Sequence, residues 1–87
     1  MATTSLVTLD LEKLISKVER ITNLGLPQRV LEATLEPDID LLCLRFKKPR
    51  KAELGEPVHP LVHVFREKAC RGITAVEIVN PEALIKS

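Results

Sequence analysis

Residues 39–47 read Ile39-Asp40-Leu41-Leu42-Cys43-Leu44-Arg45-Phe46-Lys47. Successive side chains of a strand point to opposite faces. Leu42, Leu44 and Phe46 therefore share one face, and Ile39, Leu41, Cys43, Arg45 and Lys47 share the other. A strand with one wet face alternates apolar with polar, and here that alternation begins only after Cys43. Both faces of the first half need cover, and the rest of the chain must supply it.

Upstream, residues 29–36 alternate cleanly, with Leu31, Ala33 and Leu35 on one side and Glu32, Thr34 and Glu36 on the other. That is the pattern of a half-buried strand. Glu36-Pro37-Asp38 reads as a turn with proline at its favoured second position, so the two strands are expected to form an antiparallel hairpin. Further upstream, Leu11, Leu14, Ile15, Val18 and Ile21 fall on one stripe at helical spacing, opposite Glu12, Lys13, Lys17, Glu19 and Arg20. Thr8 or Asp10 suits the cap, Gly25 suits a left-handed closing residue, and Pro27 prevents the helix from resuming. The stripe runs for about two heptads, too few for a self-sufficient coiled coil, so the helix is expected to lie on a sheet. Residues 1–7 are expected to be loose, or at most to add a short edge strand.

Downstream, residues 48–57 read as a charged loop containing Pro49, Gly55 and Pro57. A third strand is expected over 58–66, with Val58, Val62 and Val64 on one face and Leu61, Phe65, His59 and His63 on the other. Pro60 has no ladder donor, which places this strand at an edge or delays its start. Residues 67–72 read as a polar turn and Ile73–Val79 as a fourth strand. Asn80-Pro81-Glu82 resembles a helix start, with Asn as cap, Pro in the first turn and an acid near the positive end of the dipole. Ala83, Leu84 and Ile85 give that short helix an apolar side. No repeat or linker interrupts the pattern, so residues 1–87 are expected to form a single domain: helix over 8–25, sheet over 29–80, short helix over 80–87.

Composition bounds the function. Apolar residues are 45% and charged residues 29% of the chain, which is globular and not disordered. The aromatics are Phe46 and Phe65, with no Trp or Tyr. The core must be Leu, Ile and Val, and the flat faces that stack bases or sugars are missing. Net charge is +1, from 13 basic and 12 acidic residues, so no global field recruits nucleic acid or an acidic membrane. Two cysteines, Cys43 and Cys70, make no disulfide framework. Residues 1–7 lack the basic start and apolar run of a signal peptide, and no stretch reaches the roughly 18 apolar residues of a membrane span. A cytoplasmic location is expected. Few amides beside many Lys, Arg and Glu lean towards a thermophilic source.

Two short motifs carry a family resemblance. Asp40-Leu41-Leu42-Cys43-Leu44-Arg45-Phe46 and Ala75-Val76-Glu77-Ile78-Val79-Asn80-Pro81 resemble a small prokaryotic family known as domain of unknown function 2283. Asp40, Leu42, Leu44 and Phe46 fit its first motif, and Glu77, Ile78 and Asn80 fit its second. The resemblance spans about residues 30–85. Cys43 stands where the family usually has Tyr, Ala75 where it has Gly, and the turn at 67–72 lacks its usual Asp-Gly pair. The helix at 9–24 is an addition. The resemblance implies a small antiparallel sheet with a helix and implies no activity.

Several residues invite chemistry. Arg45, Lys47, Lys48, Arg50 and Lys51 form a basic run suited to neutralising phosphates without reading sequence. Glu53 and Glu56 lie close behind it, and a solvated strand end is the plainer account. His59, His63, Cys43 and Cys70 offer metal-ligand types, but four strand residues span about 13 Å, so the two histidines cannot meet on one zinc without a bulge. Cys43 sits between leucines as a small core residue does, whereas Cys70, beside Lys68 and Arg71, is the more reactive thiol by sequence. Glu77 and Asp40 suit general acid–base work, but cross-strand pairing of Glu77 with Arg45 and a turn role for Asp40 account for both. No catalytic, cofactor-binding or metal-binding residue is assigned.

The expected fold is α+β: an antiparallel sheet of about four strands, the N-terminal helix packed on one face, and the short C-terminal helix at an edge. The first helix covers one face of the 39–47 strand, and Ala83–Ile85 is too small to cover the second. A non-enzymatic interaction module that self-associates as a homodimer through that face is the expected function, with non-specific nucleic-acid binding through the run from Arg45 to Lys51 as the alternative.

Overall fold

A computed structural model describes residues 10–27, 29–68 and 72–86. The element order is α1 (Leu11–Thr22), β1 (Glu32–Glu36), β2 (Leu41–Arg45), β3 (Glu53–His59), β4 (Val62–Glu67), β5 (Ile73–Val79) and α2 (Pro81–Lys86). The fold is α+β, with five antiparallel strands in the order β1-β2-β5-β4-β3. Two hairpins, β1–β2 and β3–β4, flank β5, which bonds to the inner strand of each.

The register explains the core. Leu42, Ile78 and Val62 form one row across β2, β5 and β4, and Leu44, Val76 and Val64 form the next. All six are fully buried, as are Leu14 and Val18 of α1, and Leu84 of α2 joins the same cluster. Phe46 extends the cluster beyond the end of β2. The helix stripe and the even-numbered residues of β2 therefore meet as their periodicities require. Leu14 or Val18 in water would forgo roughly 1.5–3 kcal/mol each.

α1 starts where expected. The Asp10 carboxylate accepts the Lys13 amide N–H at 3.1 Å, a cap that satisfies one open donor of the first turn. Its end differs: Asn23, at φ 57°, takes the left-handed closing position expected of Gly25. Asn tolerates this region because its short polar side chain bonds locally. The Glu19 carboxylate then accepts the Leu26 N–H at 2.8 Å and ties the outgoing chain back to the helix.

The sheet has one strand more than the sequence indicated. The expected loop at 48–57 yields β3 from Glu53 onwards, and the expected strand at 58–66 breaks at Pro60-Leu61 into a hairpin. β3 is an edge strand, so most of its side chains are wet and its apolar pattern is weak. Pro57 is tolerated there because an edge residue has a ladder on only one side. Gly55 faces Phe65, whose Cε1 lies 2.9 Å from where a Cβ would sit, so the ring occupies the space a side chain would need.

Other boundaries also shift. Ile39 lies in the turn before β2 and is 64% exposed, and Leu31 precedes β1 and is 52% exposed. Glu67, read as turn, is the buried end of β4. Asn80, at φ 51°, is left-handed and not the extended cap residue expected before α2. Its N–H donates to the Asp40 carbonyl at 2.9 Å, and Asp40 is itself left-handed at φ 48°. The two corners lock the start of β2 to the end of β5. α2 touches α1 and so shares its side of the sheet; it does not sit at an edge.

Leu44→Ala is expected to lower the unfolding free energy by about 2–5 kcal/mol, because it empties a central core position. Ile39→Ala, in the same apolar stretch, should change it by no more than about 0.5 kcal/mol. Urea denaturation of both variants checks the assignment of Ile39 to the wet turn.

Candidate functional site

With both helices on one side, the opposite face of the sheet is open among the described residues. One row across it reads Thr34, Cys43, Glu77, His63 and Pro57, on β1, β2, β5, β4 and β3. The next reads Glu32, Arg45, Ala75, Phe65 and Gly55. Leu41 and Val79 pair at the end nearest the 37–40 turn. Leu41, Cys43, Phe65, Glu77, His63 and Val79 are all half-buried. The second face suspected from the 39–47 stretch is thus real and mixed: apolar along β2 and β5, with an acid and an imidazole adjacent at its centre.

A β-bulge shapes one end of this face. Phe65 pairs with Ala75 but Arg66 pairs with Ile73, so Thr74 is an extra residue in β5. The bulge lets Ile73 join the core although its parity differs from that of Val76 and Ile78. It also aims the Thr74 hydroxyl at Glu53, to whose carboxylate it donates, while the Phe65 carbonyl oxygen lies 3.1 Å from the same hydroxyl. Arg45 completes the cluster with a two-pronged contact to Glu53, Nη1 at 2.9 Å and Nη2 at 3.3 Å. The small Ala75 opposite Arg45 leaves room for this reach. The Arg45 hydrogen bond holds the Glu53 carboxyl below its ordinary range, against the opposing effect of burial and with help from Thr74. Arg45 is held correspondingly more firmly in its charged form, chiefly by the same bond. The expected partner of Arg45 was Glu77. Glu77 instead stands opposite Cys43 and His63, and Glu53 takes the guanidinium.

Cys43, Glu77 and His63 thus lie on one face, the first requirement for a thiol enzyme. Their order defeats it. Glu77 stands between the other two, so Cys43 and His63 are separated by two strand spacings, about 10 Å, beyond direct proton transfer. Burial, then the Glu77 charge, push the Cys43 thiol up, and Arg45 only partly offsets them. A nucleophilic thiol needs the opposite shift. His59 and His63 sit on different strands, β3 and β4, and the His59 Nδ1 accepts the Leu61 N–H at 3.1 Å. No group of three or more His, Cys, Asp or Glu among the described residues is placed to hold a metal. Cys70 and the Thr8 cap lie outside the described residues.

The basic run divides in two. Arg45 turns onto the open face and is taken by Glu53, while Lys47, Lys48, Arg50 and Lys51 are exposed on the loop between β2 and β3. No helix among the described residues is long and apolar enough to cross a membrane. No family model, curated protein or solved structure matches the chain.

The Arg45–Glu53–Thr74 cluster makes a pH-dependent contribution of defined sign. A depressed carboxyl stabilises the fold above its unfolded value, near pH 4.3, and loses that contribution as pH falls through the lower folded value. Because the pair is partly solvated, Glu53→Gln should cost no more than about 1 kcal/mol at neutral pH. The difference from the unmutated chain should close as pH drops below about 4. Thermal melts across the acid limb read this directly.

Proposed function

We propose that the chain is a non-enzymatic interaction module that forms a homodimer through its open sheet face. The carrying observation is the adjacency of Glu77 and His63 across β5 and β4, bordered by half-buried Leu41, Cys43, Val79 and Phe65. A two-fold axis running parallel to the strands between β5 and β4 brings Glu77 opposite the His63 of a second copy, and the reverse. Such self-complementarity is what an isologous contact requires. The same axis sets β2 over the partner's β3 and leaves β1, with Glu32 and Glu36, outside the contact. The acids of β1 then stay wet, and Glu53 of β3 enters the contact already paired with Arg45.

The size of the face sets the strength. Four strands about 4.8 Å apart and about 20 Å long offer roughly 400 Å² on each copy, or 800–1,000 Å² in total with side-chain relief. That is below the standard range for stable complexes, so the dimer is reversible and concentration-dependent. The resemblance to the 2283 family assigns no activity and adds no residue role to this reading.

Sedimentation velocity over a micromolar-to-millimolar series should show a monomer–dimer equilibrium. His63→Glu should shift it to monomer by placing acids face to face, and the exchanged pair His63→Glu with Glu77→His should restore it. A chain that stays monomeric throughout the series ends the proposal.

A further inference from the structure

A different surface lies at the end of the sheet, where β2 leads into β3. We propose that the loop between β2 and β3, together with Lys68, docks the phosphate backbone of a nucleic acid without reading its sequence. Lys47, Lys48, Arg50 and Lys51 are exposed on the loop, and Lys68 is exposed at the end of β4. The Lys68 N–H donates to the Ala52 carbonyl at 3.0 Å, which brings the fifth cation beside the other four.

The loop is braced. The Lys47 N–H bonds to the Thr74 carbonyl at 3.2 Å, and the Arg45 Nη1 donates to the Lys47 carbonyl at 3.2 Å. The Arg50 N–H donates to the Glu67 carboxylate at 2.9 Å, and that residue is only 5% exposed. A loop fixed at these points presents its charges with little ordering left to do on binding. The nearby acids offset only part of this charge: Glu53 is matched by Arg45, which lies outside the five, and the buried Glu67 and exposed Glu56 oppose two of the five cations. Acidic Glu36, Asp38 and Asp40 gather at the opposite end of β1 and β2. A net charge of +1 therefore conceals a strongly basic end.

The chemistry fits polyphosphate. Counterion release from a regular array of phosphates supplies affinity to clustered cations with no pocket at all. Phe46 is buried and Phe65 lies over Gly55, so neither ring is placed to stack a base. The contact is then with the backbone, for duplex and single strand alike.

Fluorescence anisotropy with a duplex of about 20 base pairs, from about 20 to 200 mM salt, tests this. Log affinity should fall against log salt with a slope of about −3 to −4, for four or so phosphates neutralised. Lys47→Gln, Lys48→Gln, Arg50→Gln and Lys51→Gln together should weaken binding more than tenfold and flatten the slope. All four side chains are exposed, and an unchanged circular dichroism spectrum confirms that the variant folds. Removing the exposed Lys13, Arg20 and Lys86 in the same way should change affinity less than twofold. No binding at the lowest salt, equal losses in both variants, or equally tight binding to polyglutamate would each overturn the proposal.

Discussion

The structure depends on β5 being bonded along both edges. Val76 and Ile78 are each held between a β2 leucine and a β4 valine, and the two rows make a dry floor three strands wide. Without β5 the molecule is two separate hairpins, and a lone two-stranded hairpin is marginal in water. Joining them creates a floor broad enough for Leu14, Val18 and Leu84 to cover. The helices are thus consequences of the central strand, because neither has another surface on which to bury its apolar side.

The same strand organises what faces outward. Its bulge at Thr74 recruits Glu53 from the far hairpin, and Glu53 draws in Arg45 from the near one. One carboxylate so links β2, β3 and β5 on the open face. It also removes Arg45 from the basic run and leaves the remaining cations to the loop. The open face and the basic end are in this way separated by an ion pair.

Much of this was legible in the residues. Leu42, Leu44 and Phe46 fall on one strand face, and Leu14 and Val18 on one helix stripe, and these sets meet in the core, although apolar Leu41 and Cys43 kept the sequence from choosing between the two faces of β2. β3 was not legible, because an edge strand with Gly55, Glu56 and Pro57 carries a loop's composition and owes its strand form to pairing with β4. The bulge left a signal in the parity conflict of Ile73 against Val76 and Ile78. The Arg45–Glu53 pair left none, since it depends on a tertiary approach between hairpins. Asn23 displaced Gly25 as the helix terminator because either residue suits a left-handed turn and composition does not choose between them.

The strand order also bears on how the chain is made. During synthesis both hairpins emerge before residues 73–79, so each waits with the edge that β5 will fill still bare. Those edges belong to β2 and β4, whose Leu42, Leu44, Val62 and Val64 are fully buried in the finished fold. Exposed apolar edges are templates for wrong pairing. Closure by β5 is therefore the step that both completes the sheet and gives the Leu14 and Val18 stripe of α1 its floor.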